Sequence, residues 1–206
     1  MKLIIFGAQA SGKGTQAEML AKELGLAHIS MGELLRQEAS SGSRAGQQLK
    51  AHMDKGELVP DDLVHKILKQ HIEASNGKFI LDGFPRKKAQ AEWLDDITDI
   101  DRVILLKISD KTALERIGGR RECQKGHNYH LQYKPPKHEG ICDECGLPLH
   151  QRSDDTQIAI MKRLQLFHDQ TEPLLTHYKA KLSEVNGEQS IKDVHFAVLK
   201  AIHHKR

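Results

Sequence analysis

The stretch Gly7-Ala8-Gln9-Ala10-Ser11-Gly12-Lys13-Gly14-Thr15 constrains this chain more than any other. It follows the apolar run Leu3-Ile4-Ile5-Phe6, which reads as a buried strand. It opens a segment in which Ala17, Leu20, Ala21 and Leu24 recur at helical spacing. The distance from Gly7 to Gly12-Lys13 is that of a phosphate-binding loop. Glycine lets the backbone turn tightly and aim its N–H groups at phosphate oxygens. The helix start adds partial positive charge, and Lys13 adds a full one. The position after Lys13 is Gly14, and the hydroxyl falls on Thr15, a variant form of the loop. The alternative is a glycine-rich strand–helix turn with no ligand. A phosphate loop alone implies nucleotide binding and leaves the acceptor unnamed.

The rest of the chain repeats the alternation. Residues 79–81 and 103–108 are further buried-strand candidates, each followed by a helix-like stretch. Strand–helix alternation predicts a parallel sheet covered on both faces. Residues 155–182 predict one long helix, or two interrupted at Pro173. A short strand is expected over residues 189–191 and a last helix from about Asp193. With 206 residues, 38% apolar and 29% charged, the chain has a globular composition and room for one core carrying small insertions. A net charge of +3 argues for neither nucleic acid nor an acidic membrane. No apolar run reaches the length of a membrane span, and the first apolar run is too short for a signal peptide. The cytoplasm is therefore the expected location.

Two stretches break the alternation. Residues 30–59 are polar and helix-like, punctuated by Gly42, Gly46 and Gly56. Residues 119–155 are rich in Gly, Pro, Cys, His and Tyr and lack a helical period. Both read as insertions between core elements. The latter holds all three cysteines, Cys123, Cys142 and Cys145, an odd number that argues against a disulfide framework. Cys142-Asp143-Glu144-Cys145-Gly146 has the form of a metal knuckle. Cys123-Gln124-Lys125-Gly126-His127 offers a thiol and an imidazole, so a Cys3His site of Cys123, His127, Cys142 and Cys145 is expected, with zinc as its metal. His130 is a rival fourth ligand, and an insertion held together without metal is the plainer alternative. His168, His177, His195, His203 and His204 are taken as surface or packing residues, and Trp93 as core.

In order along the chain, several motifs resemble those of the adenylate kinase family: the loop from Gly7 to Thr15, His28-Ile29-Ser30-Met31-Gly32-Glu33-Leu34-Leu35-Arg36, Gly56-Glu57-Leu58-Val59-Pro60-Asp61, Leu81-Asp82-Gly83-Phe84-Pro85-Arg86, Arg116-Ile117-Gly118-Gly119-Arg120-Arg121 and Arg152-Ser153-Asp154-Asp155. The resemblance covers nearly the whole chain. It implies an α/β fold with a doubly wound, five-stranded parallel sheet of the P-loop NTPase type. The core would comprise residues 1–29, 60–118 and 156–206, the monophosphate-binding module 30–59 and the lid 119–155. It further implies the reaction Mg·ATP + AMP ⇌ 2 ADP, carried out by a monomer acting on free nucleotides.

By motif position, the resemblance places Lys13, Arg86, Arg120, Arg152 and Arg163 around the transferred phosphoryl group. Gly7, Ala10, Ser11, Gly12, Gly14 and Thr15 would cradle ATP phosphates, with Arg116 and Arg120 contacting ATP and Gln189 meeting its adenine through the backbone. Arg36 would hold the AMP phosphate and Gln90 its base. Met31, Glu57, Leu58, Val59 and Gly83 would line the AMP pocket with Arg86, Arg152 and Arg163. Asp82 would orient Mg2+-bound water, or else serve as a turn or helix-capping carboxylate. Arg44 and Arg121 are left as solvated surface charges. The sequence departs from the family at Gln9, Glu33 and Met31, which stand where proline, aspartate and a hydroxyl residue are usual. A thioether donates no hydrogen bond. Two other functions therefore stay open: a kinase of another monophosphate such as UMP or CMP, and a non-catalytic, zinc-stabilised nucleotide-binding module. The two insertions also suggest movement about residues 29–30, 59–60, 118–120 and 154–156.

Overall fold

The structure, a computed structural model, describes residues 1–55 and 57–203, apart from the side chains of Arg44 and Ala45. The expectations for Gly56, His204 and the Arg44 side chain therefore lie outside the described residues.

Strand β1 (Lys2–Gly7) owes its place to composition: Leu3, Ile4, Ile5 and Phe6 are all buried. Side chains on a strand alternate between faces, so β1 feeds two cores. Ile4 and Phe6 pack with Leu81, Val103 and Leu105 on one face, and Leu3 and Ile5 with Ile80, Ile104 and Leu106 on the other. Helices α1 (Lys13–Leu24) and α9 (Ile191–His203) cover the second face through Ala17, Leu20, Val194, Val198 and Ile202. Helices α4 (Asp61–Ala74) and α5 (Lys88–Ile97) cover the first through Val64, Leu68, Ala91 and Leu94. Each such leucine or isoleucine contributes roughly 1.5–3 kcal/mol by leaving water.

The sheet is parallel and five-stranded, in the order β2-β3-β1-β4-β7, with β2 (Ala27–Ser30), β3 (Phe79–Asp82), β4 (Arg102–Lys107) and β7 (Leu182–Asn186). The doubly wound α/β expectation holds. β1 lies between β3 and β4, so the chain switches direction across the sheet at β1. A crevice opens beyond the strand ends there, and the phosphate loop leaves β1 into it.

Between β2 and β3 come α2 (Met31–Ala39) and α3 (Arg44–Asp54), then α4. After α6 (Asp110–Gly118) the chain forms an antiparallel pair, β5 (Arg120–Glu122) and β6 (Asn128–His130), around a small cluster of Cys123, Tyr129 and Cys142. Helix α7 (Gln157–Leu166) brings the chain back.

Three element expectations need correction. Residues 189–191 form no strand: β7 lies earlier, and Ser190 starts α9 by bonding the Asp193 N–H through its hydroxyl at 3.2 Å. For residues 155–182 the continuous helix fails, while the break at Pro173 holds in part. α7 gives way to a π-turn at Phe167–Thr171, the short α8 (Leu174–His177) follows Pro173, and the segment ends in β7. β2 was not anticipated as a strand. Trp93 packs against the first core and stacks on His65 with ring centroids 4.1 Å apart, as its helical position suggested.

Candidate functional site

Glycine is needed at both ends of the phosphate loop. A Cβ on Gly7 would stand 2.3 Å from Ser11 Oγ, and Gly12 has φ of 90°, which other residues rarely adopt. Gly12 also starts α1 without any capping side chain, and no acidic residue occupies the first turn. The N–H groups of that turn are left for an anion, with the helix dipole behind them.

Lys13 follows directly, its Nζ donating to Ala8 O at 3.2 Å. Burial brings its pKa down to about 8; Asp82 opposes this, and the guanidinium groups of Arg86, Arg120 and Arg152 add to it. Asp82 closes β3. Burial resists its ionisation, but His28 and Lys13, with Arg86 behind them, outweigh this and hold the carboxyl below its usual range. His28 Nε2 stands 3.7 Å from Asp82 Oδ2, an ion-pair distance beyond hydrogen-bonding reach.

A cavity of about 780 Å3 extends from this loop. Into it the fold brings Lys13, Arg36, Arg86, Arg116, Arg120, Arg152 and Arg163 from elements far apart in sequence. Ala10, Ser11, Gly12, Gly14, Thr15, Met31, Glu57, Leu58, Val59, Gly83, Gln90 and Gln189 line the same cavity, as does Asp82. Of the expected nucleotide residues only Gly7 lies off this lining; it borders a small adjoining hollow.

Cations crowded this closely disfavour one another. Burial first, then Arg163, lower the Arg86 pKa to about 10. Burial and Arg152 also lower Arg36 and Arg120. Carboxylates and carbonyls fix their orientation. Arg120 grips Asp155 with two N–H groups, and Arg163 bonds Asp154 and Met53 O, the latter at 3.1 Å. Arg152 donates to Glu122 at 2.5 Å and Asn128 Oδ1 at 2.6 Å, and Arg36 Nε lies 3.8 Å from Glu122. Arg86 Nε donates to Gly83 O at 2.9 Å. Such a group of held guanidinium forks matches the oxygens of a polyphosphate.

Several structural partners were not singled out in the sequence. Glu122, Asp154 and Asp155 hold arginines, and their one signal was position, beside Arg120-Arg121 and after Arg152. Asp61 and Glu188 also serve the cavity wall. Glu188 accepts from Ser109 N and Oγ and from Thr112 Oγ1, each at 2.8 Å, which takes its pKa down to about 2. It thereby ties the loop after β7 to the start of α6, next to Gly187, whose carbonyl accepts from Arg116 at 2.9 Å. Glu57 lines the cavity with its carboxylate already paired to Lys162 at 2.9 Å and His52 at 3.2 Å. Glu33 accepts from Asn128 Nδ2, in β6, at 3.5 Å. Arg121 turns back onto the carbonyls of Gly118 and Arg120.

In the insertion after α6, Cys123, His127, Cys142 and Cys145 place their donor atoms within 4.8 Å of one another. Ligands about 2.3 Å from a tetrahedral centre lie about 3.8 Å apart, and Cys145 Sγ is 3.6 Å from Cys123 Sγ. The imidazole contributes Nδ1, 3.2 Å from Cys142 Sγ, while its Nε2 faces Glu144 at 3.7 Å. A carboxylate behind a ligating histidine is a usual outer partner of a metal. Burial opposes ionisation of Cys142, but the Tyr129 hydroxyl and the N–H groups of Glu144 and Cys145 outweigh it and bring the thiol down to about 6. The set is compatible with zinc. His130 is otherwise engaged: Nε2 meets Arg116 O at 2.8 Å, and Nδ1 accepts from the backbone of Gln132 and Tyr133.

The sheet order and the phosphate loop at its switch point define a P-loop nucleotide-binding protein. Comparison with known proteins narrows this. The adenylate kinase family model matches residues 5–183. An adenylate kinase of Caldicellulosiruptor bescii is 44% identical over 98% of this chain and 99% of its own length. That of Caldicellulosiruptor saccharolyticus is 45% identical over the same shares, and that of Methanocella arvoryzae 42% identical over 98% of both chains. The chain belongs to the adenylate kinase family, a family of nucleoside monophosphate kinases. These relatives do not favour a UMP/CMP kinase or a non-catalytic module. Among the described residues no helix is long and apolar enough to cross a membrane.

Proposed function

We propose that this cavity is where Mg·ATP + AMP ⇌ 2 ADP takes place, with both nucleotides bound at once. The observation that carries the reading is the convergence of Lys13 and the arginines at 36, 86, 120, 152 and 163 on one cavity at the switch point. Phosphoryl transfer requires positioning and charge neutralisation more than a covalent catalyst. The loop N–H groups from Gly7 to Thr15, with Arg116 and Arg120, hold the ATP phosphates, and the backbone at Gln189 meets its adenine. Arg36 and Arg86 hold the AMP phosphate. Met31, Glu57, Leu58, Val59 and Gly83 wall the acceptor, and Gln90 meets its base. Lys13, Arg86, Arg120, Arg152 and Arg163 surround the group in flight as the bond to the ADP oxygen breaks and that to the AMP phosphate oxygen forms.

The ionised, buried Asp82 beside the loop suits a hydrated divalent cation, and with Thr15 it is the group that would hold one. Mg2+, when bound, supplies charge neutralisation at the phosphate oxygens. Residues 30–59 and 119–155 act as covers that close over AMP and ATP about residues 29–30, 59–60, 118–120 and 154–156, excluding the water that would otherwise take the phosphoryl group. Zinc in the Cys3His set stiffens a lid too small to fold on its own core. We place the enzyme in the cytoplasm as a monomer. A coupled assay with ATP and each of AMP, CMP, UMP and GMP tests the acceptor. AMP should be preferred by orders of magnitude, and equal or faster turnover of another monophosphate would refute the assignment.

A further inference from the structure

Gln90 sits in the first turn of α5, buried, and lines the cavity. Both ends of its amide are engaged by protein. Oε1 accepts from Arg86 N at 2.9 Å, and Nε2 donates to Asp61 Oδ1 at 2.8 Å. The other Asp61 oxygen is 2.8 Å from Lys87 Nζ. Asp61 is the first residue of α4, where the helix dipole favours a carboxylate. Rotating the Gln90 amide by half a turn would set Nε2 against the Arg86 N–H and Oε1 against the Asp61 carboxylate, donor on donor and acceptor on acceptor. Only one orientation satisfies this frame.

An amide has two N–H groups and two lone pairs on oxygen. The frame uses one of each, leaving one N–H and one lone pair, in fixed positions, for a ligand. Adenine presents an acceptor at N1 and a donor at N6, which match that pair. Hypoxanthine and guanine present a donor at N1 and an acceptor at O6, the reverse. Met31, buried on the same cavity, adds no donor that could compensate.

We infer that Asp61 is a positioning residue for acceptor specificity: by locking the Gln90 amide it makes the site accept a 6-aminopurine monophosphate and reject 6-oxopurines. This rests on the proposed placement of the acceptor base against Gln90. A site built for particular hydrogen bonds rejects a mismatched analogue because its polar groups are left unpaired. Without Asp61 only the Arg86 N–H still favours the original orientation, so the amide turns at lower cost to suit a 6-oxopurine.

The test is the ratio of kcat/KM for AMP to that for IMP, with ATP as donor, alongside a thermal melt of each protein. Asp61→Ala should lower the ratio by about 10- to 100-fold, the span of one charge-assisted hydrogen bond. Lys87→Met, which removes the ion pair and keeps the Asp61–Gln90 bond, should leave the ratio near that of the unaltered enzyme. Should Asp61→Ala fail to fold, Asp61→Ser is read the same way, since a hydroxyl donates as well as accepts and imposes no orientation. A purely structural role for Asp61 would slow both substrates equally, and an unchanged ratio overturns the inference. Loss of the ratio in Lys87→Met to the same extent also overturns it. Gln90→Leu separates the two levels. If it collapses the ratio and Asp61→Ala does not, the lock alone fails. If Gln90→Leu leaves the ratio intact, the base does not lie against Gln90, and the placement fails together with the lock.

Discussion

Glu122 is the carboxylate on which two of the cavity's arginines depend, so its replacement by glutamine is an informative perturbation. The residue is 6% exposed, with Arg152 Nε at 2.5 Å and Arg36 Nε at 3.8 Å. Glu122→Gln keeps the shape and one acceptor oxygen but removes the charge. A hydrogen bond to a charged group is worth about 1.5–3 kcal/mol. Arg152 retains Asn128 Oδ1 at 2.6 Å, so part of its orientation survives and the lower end of that range applies. About 2 kcal/mol off transition-state positioning corresponds to a loss of about 30-fold in kcat. KM should behave differently. Removing a negative charge leaves Arg36 and Arg152 less neutralised, and nucleotide phosphates then compensate them, so KM for AMP should stay level or fall. Initial rates of ADP formation over a grid of ATP and AMP concentrations separate the two. An unchanged kcat with a raised KM would refute the reasoning, because it would make Glu122 a part of ground-state binding.

Other outcomes follow from the same geometry. Burial holds the free-enzyme pKa of Lys13 down to about 8, so the ammonium is present below that pH and lost above it. ATP affinity should therefore weaken as pH rises through about 8 in equilibrium titrations, and a level profile from pH 7 to 9.5 would contradict this. Chelation of the lid metal should lower the melting temperature. His127→Ala should reduce bound metal on elemental analysis, while His130→Ala should retain it; the opposite pattern would exchange the two histidines. His168 has its pKa raised by hydrogen bonds to Glu172 and Asp110, against opposing desolvation. Its stabilisation is present below about pH 6.5 and is lost as pH rises through the raised value. The pair is solvent-screened, so His168→Gln should cost at most about 0.5 kcal/mol at pH 6 and nothing at pH 9 in denaturant titrations.

How much was legible in the sequence depended on how each element earns its stability. β1 and the loop were plain because a fully buried strand must be continuously apolar and a phosphate loop needs glycine at set positions. β7 was hidden because it is an edge strand in which Val185 alone is buried, so Leu182–Asn186 carries no apolar run. Residues 189–191 were mistaken for it because Ser190, a helix start, resembles a turn residue beside an isoleucine. The π-turn at Phe167–Thr171 leaves no periodic trace, and Pro173 marked only part of the break. The arginines were found through motifs. The role of their carboxylates was not legible: Asp154 and Asp155 closed the Arg152-Ser153-Asp154-Asp155 motif and Glu122 lay in none, and all three look like ordinary surface acids until folding places them against guanidinium groups. The Cys3His cluster was legible because metal-ligand chemistry fixes residue type and spacing. His127 was already the expected fourth residue, and the structure adds that His130 spends both ring nitrogens on backbone.

The central claim is that the phosphate loop and the converging arginines form one phosphotransfer centre. It is tested most directly by steady-state ADP formation from ATP and AMP in the unaltered protein and in Lys13→Ala. Lys13 is held at the loop itself, with Nζ on Ala8 O. Its removal should lower kcat by about 100- to 1,000-fold, the cost of losing one preorganised donor to transition-state charge, with the melting temperature preserved. Undiminished transfer by Lys13→Ala would contradict the account.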